Sequence, residues 1–218
     1  MPEETFHITQ IASQKRRKDR VNIYLDGAYA FSLNRDVVIE NHLHQGDPIN
    51  SRQIDALLLG DEIKKAKEKG LAFLSYRARS TKEFERKLSE RGFHQKTIQE
   101  VVSDFERVGL LDDDRFASSF ARTKLIQKPV GKHVLLRELA IKGIDEETAA
   151  RAVDEAYGAK SEYDLALDIA QKKTRRMSGD AAQILKQKKR MSDLLARRGF
   201  GWPVISDVLQ NVFGSVTD

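Results

Sequence analysis

The chain has no cysteine, a single tryptophan and only four prolines in 218 residues. Without cysteine there are no disulfides, no thiolate nucleophile and no sulfur ligand for a metal, which fits a reducing compartment. No apolar run approaches the roughly 20 residues that cross a bilayer. No basic-then-apolar leader opens the sequence. A cytoplasmic protein with no membrane partner is therefore expected. Aromatic residues make up 7 % of the chain and charged residues 33 %. That balance suits a well-solvated helical protein better than a β-sandwich, and the 40 % of apolar residues is enough to bury a core.

Catalytic constellations are missing as well. Of the five histidines, only His42 and His44 are close in sequence, and no cysteine or carboxylate grouping completes a metal site around them. Asp112-Asp113-Asp114 is followed by neither the glycine nor the terminal glutamate of a calcium loop, so helix capping explains these acids more simply. No phosphate-cradling or dinucleotide-binding glycine pattern occurs. Ser118 and Ser119 lack the glycines of a nucleophile elbow. No enzyme activity, metal or cofactor is expected.

What is present is an internal repeat. Leu88-Ser89-Glu90-Arg91-Gly92-Phe93, Leu139-Ala140-Ile141-Lys142-Gly143-Ile144 and Leu195-Ala196-Arg197-Arg198-Gly199-Phe200 share one pattern. Each has Leu, two variable residues, a basic residue, Gly and a large apolar residue. The three glycines are spaced by 51 and 56 positions (143 − 92, 199 − 143). Phe84, Leu135 and Met191 match before them. Ile98, Ala149 and Ile205 match after them, followed by Val101-Val102, Ala152-Val153 and Val208-Leu209. Leu four residues before a left-handed Gly, with an apolar residue just after it, is the signature of a Schellman cap. Gly92, Gly143 and Gly199 are thus read as helix caps, and the basic residue before each suits a helix C-terminus.

The N-terminal quarter reads differently. Asp26-Gly27 between β-prone runs predicts a hairpin over Arg20–Leu33, with a third strand near Phe6–Ser13. The basic link Lys15-Arg16-Arg17-Lys18 is the exposed turn between them. Asn34 is the expected cap of a short helix. From Ser51, read as the next cap, the pattern is helical to about Tyr76, with Gly60 as a weak point. Ser80-Thr81-Lys82-Glu83 is a capping box. Tyr76, Phe84, Phe93, Phe105, Phe116 and Phe120 read as core, and Trp202 as packed beside Phe200. The expected architecture is mainly α: a small β-rich extension, residues 1–55, then three three-helix repeats over 62–108, 112–157 and 161–213. Units of this size gain most of their stability by stacking.

Charge is uneven. Residues 1–60 carry seven Lys and Arg against eight Asp and Glu, a net −1, whereas 172–198 carry ten against two, a net +8. Such a concentration points to an anionic partner. The candidates are Lys172, Arg175, Lys186, Lys188, Lys189, Arg190 and Arg197. By the helical period Lys172 shares a face with Arg175, and Lys186 with Arg190, while Met191, Leu194 and Leu195 mark the buried side.

Over about residues 62–213 the chain resembles the bacterial RecX family. The resemblance rests on four stretches in order: Leu74-Ser75-Tyr76-Arg77-Ala78-Arg79-Ser80 with Glu83 and Leu88; Gly109-Leu110-Leu111-Asp112-Asp113-Asp114-Arg115-Phe116-Ala117; Gly131 with Leu136-Arg137-Glu138-Leu139 and Lys142-Gly143-Ile144; and Leu194-Leu195-Ala196-Arg197-Arg198-Gly199-Phe200. Ala78 stands where the family often has proline. The resemblance implies a monomeric regulatory protein that binds the RecA nucleoprotein filament, in its groove or at its ends. It also implies suppression of recombinase and ATPase activity, and so a role in DNA repair, recombination and the SOS response. The alternative is a helical protein whose main partner is single- or double-stranded DNA.

Overall fold

The computed structural model describes residues 4–174 and 181–214, with the backbone alone for Ala181. Four strands, β1 (Thr5–Ser13), β2 (Arg20–Leu25), β3 (Ala28–Asn34) and β4 (Pro48–Asn50), form an antiparallel sheet in the order β3-β2-β1-β4. Asp26 and Gly27 turn the hairpin with φ 47° and 86°, the left-handed pair that matches strand twist. Asn34 caps α1 (Arg35–Glu40), its side chain accepting from the Asp36 amide at 2.9 Å. The expected strands and this cap are in place. β4 was not foreseen. Three residues carry no periodic signal, and its strand character comes from pairing Ile49 with Phe6. Pro48 is tolerated because β4 is an edge strand.

Helix α2 spans Ser51–Tyr76 without a break. Gly60 weakens it, at about 1 kcal/mol for an interior glycine, but does not interrupt it. The cap is Asn50 rather than Ser51. The Asn50 side chain accepts from the Gln53 amide and the Gln53 side chain from the Asn50 amide, both at 2.9 Å. The boundary expected near residue 55 falls inside α2. That helix packs Leu57 against Ile8, Val21, Ile23, Leu33 and Val37 of the sheet and α1. One turn on, Asp61 meets Arg20 of β2 through two hydrogen bonds of 3.1 Å, both side chains buried.

The remaining helices are α3 (Thr81–Ser89), α4 (Gln95–Arg107), α5 (Asp113–Gln127), α6 (Lys132–Lys142), α7 (Glu146–Tyr157), α8 (Glu162–Thr174), α9 (Ala181–Arg197) and α10 (Trp202–Phe213). Positions matched by the repeat are core in every copy: Phe84, Leu135 and Met191; Leu88, Leu139 and Leu195; Ile98, Ala149 and Ile205 are all buried. Each of α3, α6 and α9 ends in the expected cap. The amides of Phe93, Ile144 and Phe200 donate to the carbonyls of Leu88, Leu139 and Leu195 at 3.1–3.4 Å. Gly92, Gly143 and Gly199 donate to Ser89, Ala140 and Ala196 at 2.9 Å. Two aromatic expectations fail. Tyr76 is 85 % and Trp202 68 % exposed. Tyr76 is the last residue of α2, and Phe200 fills the core position that Trp202 would have shared.

The chain divides into two compact units, one running to Ala78 and including Phe84–Leu110, the other made of Arg79–Glu83 and Leu111 onward. In the first, Gly70 of α2 lies against the rings of Phe84 and Phe105, which meet at 5.4 Å. In the second, residues of α5 through α10 share one core.

Equivalent positions also make equivalent junctions in the second unit. The Ser80 hydroxyl, just before α3, donates to the Lys142 carbonyl at 2.6 Å. The Gly131 amide, just before α6, donates to the Arg198 carbonyl at 2.9 Å. Each acceptor is the basic residue that precedes a capping glycine. Serine reaches the cap with its side chain, whereas glycine brings its own backbone up to it. The third repeat departs from this scheme. Its equivalent second helix would start at residue 188, but α9 starts at Ala181, seven residues earlier (188 − 181).

Candidate partner-binding surface

α9 carries a run of cations, of which Lys186 lies on the added N-terminal turns and Lys188, Lys189 and Arg190 on the first turn of the length it shares with the other repeats. Met191 and Leu195 are buried, and Ile184, Gln187, Lys188, Leu194 and Arg198 half-buried, so one stripe faces inward at helical spacing. Lys186, Lys189, Arg190 and Arg197 are exposed. Lys186, Arg190 and Arg197 follow one another at spacings of four and seven on one face of the helix. Lys188 is the exception among the candidates. It falls on the half-buried side with Ile184 and Gln187.

The charge of α9 is more concentrated than that of the earlier repeats. There seven cations are neutralised internally, Lys64 by Asp36, Lys67 by Asp104, Arg122 by Glu155, Lys124 by Glu138, Lys132 by Asp154, Lys142 by Glu83 and Arg151 by Asp114, and the exposed Lys69, Lys96, Lys128 and Arg137 are scattered over separate helices or their ends. Among the described residues, Lys186, Lys189, Arg190 and Arg197 have no carboxylate within ion-pair distance. Arg198, the neighbour of Arg197, is held by structure, donating to the Pro129 carbonyl at 3.2 Å. The two adjacent arginines thus do different things. One fixes the repeat junction and the other projects a free charge.

Lys172 is exposed near the end of α8, and Arg175 lies outside the described residues. The structure does not group Lys172 with the α9 cations. It lines a cavity of about 390 Å³ with Arg122, Ile126, Lys160, Leu165 and Ile169, and no α9 residue contributes to that lining. Tyr157 also lines it, its hydroxyl donating to the Val130 carbonyl at 2.7 Å. Burial pushes that hydroxyl far above the ordinary tyrosine range, so it stays a neutral donor. Sequence reasoning missed this cavity. Ile126, 82 % exposed on α5, is its one local sign.

The capping glycines are structural. Gly143 is crowded by Lys82 and Gly199 by Val134, whereas nothing approaches Gly92. Among the described residues no three His, Asp or Glu side chains are grouped to hold a metal ion. No helix among them is long and apolar enough to cross a membrane.

The fold and this surface define a tandem three-helix repeat protein with a small N-terminal sheet and a basic helix whose exposed cations are unpaired among the described residues. Four family models match it in chain order. They are the regulatory protein RecX N-terminal domain over residues 6–50 and the first, second and third RecX three-helix domains over 66–105, 112–153 and 160–209. The regulatory protein RecX of Bacillus licheniformis is 35 % identical over 204 residues, covering 94 % of this chain and 76 % of that one. The Bacillus subtilis protein of the same name is 34 % identical over 205 residues, with the same shares. A crystal structure of regulatory protein RecX is similar with a TM-score of 0.67 and 28 % identity, over 93 % of this chain and 98 % of that one. That of RecX from Lactobacillus salivarius gives 0.60 and 27 %, over 70 % and 97 %. The chain belongs to the RecX family of regulatory proteins.

Proposed function

We propose that this protein binds the RecA nucleoprotein filament as a monomer and restrains it, mainly by inhibiting strand exchange and ATP turnover, and thereby regulates DNA repair and recombination in the cytoplasm. It acts by contact and not by catalysis, without a cofactor. The observation that carries this reading is the unpaired charge of α9. Lys186, Lys189, Arg190 and Arg197 are exposed and un-neutralised on a helix whose opposite stripe is packed. Elsewhere in the repeats many cations are taken up by internal pairs and the rest are scattered. A helix that keeps its charges free offers them to an anionic surface at no cost to the fold. A filament of protein on DNA presents both carboxylates and phosphates.

The same cations support a second reading, in which nucleic acid alone is the main partner. The two separate in a binding assay with the full chain. One arm uses RecA filaments assembled on single-stranded DNA with a slowly hydrolysed nucleotide, and the other the same DNA without RecA. Binding to filament at concentrations that leave naked DNA free is the expected result. Equal binding in both arms, with a steep salt slope of roughly 0.7–0.9 per neutralised phosphate, would transfer the function to nucleic acid and sink the filament reading.

A further inference from the structure

We propose that the tip of the β1–β2 ribbon is a second polyanion site, built to hold the sugar-phosphate backbone of a nucleic acid. The connection between these strands is Gln14–Asp19, and Lys15, Arg16, Arg17 and Lys18 are all exposed there. Two hydrogen bonds of 3.0 Å close the loop, from the Gln14 amide to the Arg20 carbonyl and from the Arg20 amide to the Arg17 carbonyl. Four consecutive cations are therefore presented on a tight turn and not on a free arm.

The base of the loop is fixed and adds a fifth cation. Arg20 is pinned inward by Asp61 at 3.1 Å. The Arg35 amide donates to the Asp19 carbonyl at 2.8 Å. Its guanidinium donates to the Ser13 hydroxyl at 3.0 Å, so Arg35 stands beside the loop. One acid opposes this group: Asp19, which pairs with Arg17 at 3.3 Å. Among the described residues Lys15, Arg16 and Lys18 have no carboxylate partner. Asp36, the next acid along, is taken by Lys64.

The chemistry around the tip distinguishes its ligand. A protein interface has an apolar centre with a polar rim. Residues 13–19 contain no apolar side chain at all. Tyr29, an exposed aromatic of the same sheet, lies at the far end of β3, where Ala28 pairs with Leu25. Charge without an apolar anchor is the chemistry of phosphate contact, which positions a protein on nucleic acid without reading bases. A two-stranded ribbon is also narrow enough to enter a groove. This inference does not rest on the filament reading, because it concerns DNA alone.

The test uses the full chain and no RecA. Binding of a labelled single strand and of its duplex is followed by anisotropy from about 50 to 200 mM salt. The wild type is compared with Lys15→Gln/Arg16→Gln/Lys18→Gln, whose melting curve should match because all three side chains are solvent-exposed. The triple variant should bind at least about tenfold more weakly at low salt, with a log–log salt slope smaller by about 2 on the single strand and about 3 on the duplex. The single variants Lys15→Gln and Lys18→Gln should each lower the slope by about 1. An unchanged slope on both probes overturns the proposal, as does a wild type that binds neither. Binding of polyglutamate is the third arm. If the triple variant loses polyglutamate but keeps its DNA slope, the tip is a contact for acidic protein and the nucleic-acid assignment fails.

Discussion

Replacing Gly92, Gly131 and Gly143 by alanine, one at a time, separates two costs that the repeat combines. Gly92 has φ 84° with nothing near a Cβ built on it. Gly131 has φ −66° and ψ 156°, which any residue adopts, but its Cβ would stand 2.7 Å from the Gly199 carbonyl carbon and 2.9 Å from Glu162 Oε1. Gly143 carries both burdens: φ 86°, and a Cβ 2.5 Å from Lys82 Cβ and 2.9 Å from its Cγ. Those Lys82 atoms are close to the backbone, so relief requires moving the first turn of α3. Left-handed backbone costs an L residue about 1–2 kcal/mol, and overpacking typically about 1–3 kcal/mol. Gly92→Ala should therefore lose about 1–2 kcal/mol and Gly131→Ala about 1–3 kcal/mol. Gly143→Ala should lose the sum, about 2–5 kcal/mol, and Gly143→Val at least as much. Urea denaturation measures this as a fall in midpoint at constant m. In a melt, each kcal/mol is worth about 2–4 °C at this chain length. Equal losses at Gly92 and Gly143 would refute the close-approach argument, and no loss at Gly131 would refute the junction.

Two further predictions concern the N-terminal sheet. Asp61→Asn should cost about 3–5 kcal/mol in a denaturant titration, because it leaves the buried Arg20 without its counter-charge. Burial alone would raise the Asp61 carboxyl, but hydrogen bonds from Lys65, Arg20 and the Asn34 amide outweigh it and hold it below the usual carboxylate range. A depressed folded pKa contributes stability above the unfolded value, and this is lost as pH falls through the folded one. The wild type should thus lose stability below about pH 4. Asp61→Asn should lack that share of the acid slope, and an identical slope in both proteins would count against it. A chain truncated to start at Ser51 strips Asp61 of Arg20 and Asn34 and uncovers Leu57. Circular dichroism and denaturation should show a less stable first unit, whereas an unchanged transition would mean that the sheet contributes nothing to α2.

Much of the fold was legible because its signals are local. The three Gly caps, the Asp26-Gly27 turn and the Asn34 cap are each set by a handful of neighbouring residues, and each forms as read. The error at α2 was also local: Asn50 and Ser51 both cap well, and the Gln53 side chain three residues after Asn50 selects the former. What could not be read depends on distant partners. β4 exists because β1 lies beside it. Tyr76 and Trp202 have core chemistry but terminal positions. On α9 the basic run was plain, yet the half-burial of Lys188 depends on which stripe packs. The pairing of Lys132 with Asp154 joins two helices of one repeat and that of Lys142 with Glu83 joins two repeats, and neither leaves a trace in spacing. The concentration of exposed, unpaired cations on one helix is what makes the α9 charges distinctive.

The central claim is tested most directly by RecA ATPase turnover on single-stranded DNA in the presence of Lys186→Glu/Lys189→Glu/Arg190→Glu. These three side chains are exposed, so the variant should melt like the wild type. At up to about 1 kcal/mol per exposed charge, the reversal should weaken inhibition at low salt by as much as about a hundredfold. The gap should narrow as salt screens the wild-type contacts. Inhibition equal to wild type at low salt would contradict the claim and leave α9 as a merely solvated face.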